Sequence, residues 1–163
     1  MIRAGGRRGR APSVRCMTAS TPSTTTDRRA SAAPDGARRL FAVFVGVTVL
    51  FIFLQSLTAG EFITDGLPDG ARAVWTDVHG FLAYPIMVFA LLAAIVAFAR
   101  LDARGTAIMT GLLFAGAVVQ WLLGHAITTL HMDWVTPFHV VLAFVIYGLA
   151  IWLSVRSAAL RRR

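Results

Sequence analysis

Two histidines stand in the same short pattern inside long apolar runs. His79-Gly80-Phe81-Leu82-Ala83-Tyr84 and His139-Val140-Val141-Leu142-Ala143-Phe144 both read His-x-x-Leu-Ala-aromatic. An imidazole in hydrocarbon is costly, so its default reading there is functional. Each copy follows an apolar segment with a similar close, Gln55-Ser56-Leu57-Thr58-Ala59-Gly60 before His79 and Gln120-Trp121-Leu122-Leu123-Gly124 before His139. Two neutral imidazoles meeting at one depth on facing helices can ligate a b-type haem iron from both axial sides. Helix-bundle cores are common places for such cofactors. His79 and His139 are therefore the expected axial ligands of one haem b. Gly60, Gly80 and Gly124 would give a macrocycle room to approach the backbone, and Phe81, Tyr84 and Phe144 would pack against it. Gln55 and Gln120 would either bond across helices or orient a ligand histidine through its free ring N–H. His125 would line the haem edge, bind a propionate or move a proton.

Other chemistry is thinner. Glu61, Asp77, His125, His131 and Asp133 share one aqueous side and offer nitrogen and oxygen donors for an external metal ion, but no two have a recognised ligand spacing. The single cysteine, Cys16, can form no internal disulfide and belongs to no metal or redox motif. There is no nucleophile with a nearby base, no phosphate-cradling glycine loop and no carboxylate pair within the apolar runs. Independent catalysis is thus not expected, although a place in an oxidoreductase, with a redox partner or quinone, stays open. A cofactor-free structural or accessory subunit, its repeat reflecting duplication and helix packing alone, is the competing reading.

The elements that must position these residues follow from composition. The 163 residues are 56% hydrophobic, with a mean hydropathy of +0.67, which indicates a membrane protein. Uncharged runs at 40–60, 78–99, 105–130 and 134–155 predict helices over about 40–60, 75–99, 105–129 and 135–156, each run near the ~20 residues that cross a bilayer core. Lipid offers the backbone no hydrogen-bond partner, so the runs must be helical. Every basic residue is an arginine, and all but Arg72 lie in the two tails or in the loop Arg100–Arg104. By the positive-inside rule both termini are cytoplasmic and the loops 61–77 and 131–133 external. The expected fold is an all-α membrane protein: a four-helix transmembrane bundle over 38–157, built of two parallel two-helix repeats. Counting at about 1.5 Å per residue then brings His79 and His139 to one level in the external leaflet. Arginine sorted in this way forms no basic face, so lipid is the expected partner and nucleic acid is not.

Residues 1–37 are rich in Arg, Ser, Thr and Pro and are expected to be a disordered cytoplasmic tail, with Met17 an alternative start of translation. Residues 158–163 form a second basic tail.

Over about residues 40–155 the chain resembles one four-helix half of the haem A synthase family, integral membrane proteins built from two such halves. Family members carry a Gln-x-x-Leu-Gly-type ending on one helix and a histidine at the outer start of the next. Gln120-Trp121-Leu122-Leu123-Gly124 followed by His139 is the nearer match, and Gln55 to Gly60 followed by His79 the looser one. The resemblance implies a bis-histidine haem site. It does not extend to that family's cysteine pair or to its Arg- and Gly-rich motif, and Glu61 stands near a functional glutamate of the family in a different local sequence. The lysine-free, alanine-rich composition also fits a small four-helix protein of the inner membrane of a GC-rich bacterium.

Overall fold

The computed structural model describes residues 35–162. Four helices account for nearly all of them: α1 (Asp35–Phe62), α2 (Asp69–Arg100), α3 (Arg104–Leu130) and α4 (Thr136–Arg161), the last preceded by a 3-10 turn at Asp133–Val135. All four are long and apolar enough to cross a membrane. No strand occurs among the described residues.

The helices outrun the apolar runs. α1 begins at Asp35 and α2 at Asp69, so 35–37 leave the expected tail and 69–74 leave the expected external loop. The start of α2 follows Pro68 and places Asp69 in the first turn, where the helix dipole favours an acid. The alanines and arginine after Asp69 are good helix formers. α4 likewise continues to Arg161, so most of the expected C-terminal tail is helical. The tail before residue 35, with Cys16 and Met17, lies outside the described residues. Pro85 stands inside α2, which continues through it.

The helices contact one another in the order α1–α2–α3–α4–α1, and neither α1 with α3 nor α2 with α4 comes within 8 Å between Cα atoms. The cross-section is therefore a square with α2 and α4 on a diagonal. Packing is densest at the end that carries the arginines. There Phe41, Val45, Ala90, Ala93, Ala97, Leu113, Ala150 and Leu153 are buried. The alanines of α2 allow its backbone close approach, the small-residue packing expected when lipid gives helices no hydrophobic drive to associate. Phe51 and Phe89 stack at 6.0 Å to join α1 and α2. Buried Thr48 and Thr110 hydroxyls bond carbonyls of their own helices, so they are satisfied without crossing the core. At the other end, among the described residues, burial is sparser and reaches Thr58, Ala83 and Val135. The histidines stand in that looser half.

Candidate functional site

His79 is on α2 and His139 on α4, and their imidazole centroids lie 6.4 Å apart with planes inclined by 55°. Each is half-buried. The rings meet across the diagonal of the bundle, between two helices whose backbones do not touch.

The glutamines lock each histidine to the preceding helix. Gln55 Nε2 donates to the His79 backbone carbonyl at 3.0 Å, and Gln120 Nε2 donates to the His139 carbonyl at the same distance. Such a carbonyl already accepts a helical bond, so the amide uses its second lone pair. The bond crosses from α1 to α2 in one half and from α3 to α4 in the other. It fixes the height of each histidine against its neighbour.

The rings themselves are held differently. His79 Nδ1 lies 2.9 Å from the Gln55 backbone carbonyl. A carbonyl can only accept, so Nδ1 carries the proton and Nε2 keeps its lone pair. The Thr58 hydroxyl donates to the same carbonyl at 2.8 Å, and its oxygen is 3.3 Å from Nδ1. Phe62 meets the ring edge-on, centroids 5.3 Å apart. His139 Nδ1, by contrast, is buried without a partner, as is Gln120 Oε1. What supports the His139 ring is α3: a methyl on Gly124 would lie 3.3 Å from its Cε1 and 3.8 Å from Nδ1. Neither Nε2 makes a hydrogen bond within the described residues.

Several residues marked out by sequence stand elsewhere. Phe81 and Phe144 point away from the pair and are 69% and 73% exposed. They follow their histidines by two and five positions, which at 100° per residue turns them to the opposite face. Tyr84 is exposed as well and meets Trp121 at 6.3 Å on the outer surface of α2 and α3. A methyl on Gly60 or Gly80 would meet nothing within 4 Å, so both border open space, unlike Gly124. His125 is exposed, stacks on Trp121 of its own helix at 5.7 Å and has Nδ1 3.3 Å from Thr129 Oγ1. It does not join the pair. His131 has the left-handed φ of 54° and ends α3, with the next amide, of Met132, returning to the Ala126 carbonyl at 3.1 Å. Its place is conformational, in a region His enters more readily than most residues. Glu61, Asp77, His125, His131 and Asp133 do not converge: no three His, Cys, Asp or Glu side chains form a metal-binding group among the described residues.

Thr58 and Phe62 were not singled out by sequence. The signal for them was available, since Gln55, Thr58 and Phe62 recur at helical spacing on one face of α1. No protein family, curated protein or solved structure matches this chain.

Proposed function

We propose that this chain is an integral membrane b-type haem protein, with one haem between His79 and His139 near the external leaflet and a role in electron transfer. It is placed in a bacterial inner membrane as two parallel two-helix repeats, with both termini cytoplasmic. The observation that carries the reading is the 6.4 Å separation of the two rings. A separation of this size would leave room for one metal held by a nitrogen of each ring at bonds of about 2 Å. The chemistry of the donor set agrees. With no third protein ligand gathered at the pair, a bare ion would keep only two protein donors, whereas a macrocycle brings its own four.

When bound, the haem iron supplies one-electron chemistry. The chain's own part is to fix and shield the ligands. Gln55 and Thr58 hold the His79 ring in the tautomer that leaves Nε2 free, the hydrogen-bonded support that metal-ligating histidines generally require. In the other half Gly124 buttresses the His139 ring.

Absorbance of the purified protein after haem-replete expression tests this. A Soret band is expected, and it should be lost in both His79→Ala and His139→Ala. A folded wild-type protein with no Soret band would favour the second reading, a cofactor-free accessory subunit. That reading draws on the same contacts, since the Gln55 bonds and Phe62 account for His79 as a packing residue.

A further inference from the structure

At the end of the bundle opposite the histidines, a cavity of about 650 Å³ lies between the first turns of α1 and the last turns of α4. Arg38, Arg39, Arg161 and Arg162 line it together with Asp35, Val43 and Ala158. Four guanidiniums against one carboxylate make the lining strongly positive. Arginines that only set topology need to lie near the headgroups. That duty does not require them to converge on one volume from the two helices most distant in sequence. The lining also changes character along α1: Val43, one turn beyond Arg39 towards the hydrocarbon, is 57% exposed. A ligand matched to such a wall has an anionic head, with oxygens that guanidinium forks can grip, and an apolar tail beside Val43.

We propose that this cavity binds the phosphate headgroup of an anionic phospholipid, held by Arg38 and Arg39 of α1 and by Arg161 and Arg162 of α4. Basic pockets between membrane helices commonly take such headgroups. The site spans the seam between α1 and α4, the one neighbouring pair not joined by a loop, so the bound lipid fastens the bundle where the chain does not. The proposal rests on the helices lying in a bilayer and is independent of the haem.

Native mass spectrometry of the full chain tests it, with the protein released from micelles holding equimolar phosphatidylglycerol and phosphatidylcholine of the same chain length. One phosphatidylglycerol per chain is expected to remain bound. Its occupancy should fall on the order of tenfold in Arg38→Gln/Arg161→Gln and stay unchanged in Arg100→Gln/Arg104→Gln, which removes equal charge from the same end of the bundle. Equal retention of phosphatidylcholine, or equal loss in the two double variants, overturns the proposal. Inorganic phosphate at the concentration of the lipid should displace nothing, and displacement would assign the cavity to a soluble anion instead. If Arg38→Gln/Arg161→Gln does not fold by circular dichroism, Arg38→Lys/Arg161→Lys keeps the charge and removes the forks. Weaker retention in that variant supports the guanidinium grip, and wild-type retention refutes it.

Discussion

The His139 imidazole rests on the bare backbone of Gly124, where a methyl would stand 3.3 Å from Cε1. One helix thereby sets how far a side chain of the next can reach into the bundle. That distance is tighter than ordinary van der Waals contact, so any substituent must displace the ring.

Gly124→Ala should therefore shift the His139 ring by a few tenths of an ångström and weaken or distort the haem ligation proposed for it. Reduced-minus-oxidised spectra, normalised to protein, are expected to show a smaller or displaced haem signal. Gly60→Ala and Gly80→Ala meet no neighbour and should leave the spectrum unchanged, while gaining up to about 1 kcal/mol of helix stability. Identical spectra in all three variants would show that the Gly124 contact does not govern the site.

The glutamines should differ when replaced. Gln55→Leu and Gln120→Leu each delete one amide-to-carbonyl bond across a helix pair, worth roughly 0.6–2 kcal/mol in a membrane. Gln120→Leu also removes a buried oxygen that has no partner, and relief of that desolvation offsets part of its loss. Reversible unfolding in mixed micelles should rank Gln55→Leu as the more damaging. The opposite order would mean that Gln120 Oε1 is satisfied in the membrane.

At the turn after α3, His131→Gly is expected to be tolerated or mildly stabilising, because glycine enters the left-handed region without strain. His131→Val, β-branched at φ 54°, should cost about 1–2 kcal/mol. Equal thermal midpoints for the two variants would contradict a conformational role.

In the dense half, Ala93→Leu should destabilise by about 1–3 kcal/mol through overpacking, since Ala93 has no exposed surface. Ala99→Leu, on the exposed side of the same helix, should be neutral. The same unfolding assay separates them.

Orientation has its own test. In a Cys16→Ser background, Thr64→Cys should react with a membrane-impermeant maleimide on intact cells, and Asp102→Cys only after lysis. The reverse pattern would overturn the arginine-based topology.

What the sequence made legible, and what it hid, divides on physical lines. The four spans could be read because a bilayer demands about 20 apolar residues whatever the fold. Helix ends could not, because beyond the hydrocarbon they depend on first-turn charge and local propensity, as at Asp69. Rotation of each helix about its axis was hidden too. With lipid on the outside the helices are apolar all round, so no stripe marks the inner face. Only the sparse polar side chains do. Depth counting was enough to bring His79 and His139 to one level, but it could not show that a backbone carbonyl of Gln55, rather than its side chain, holds the His79 ring. Nor could it separate Gly124, which touches a ring, from Gly60 and Gly80, which touch nothing.

The uneven packing along the axis also sets which end of the bundle the paired rings are closed off from. Beyond them the interior is filled by Phe41, Val45, Leu113, Leu153 and the α2 alanines, and α2 alone runs on for about 30 Å from His79 to Arg100. That plug carries no titratable group among its buried side chains and so offers no stepping stone for a proton. In the proposed topology the filled half would separate the two imidazoles from the cytoplasmic side, so any exchange at the pair would run through the outer half of the bundle.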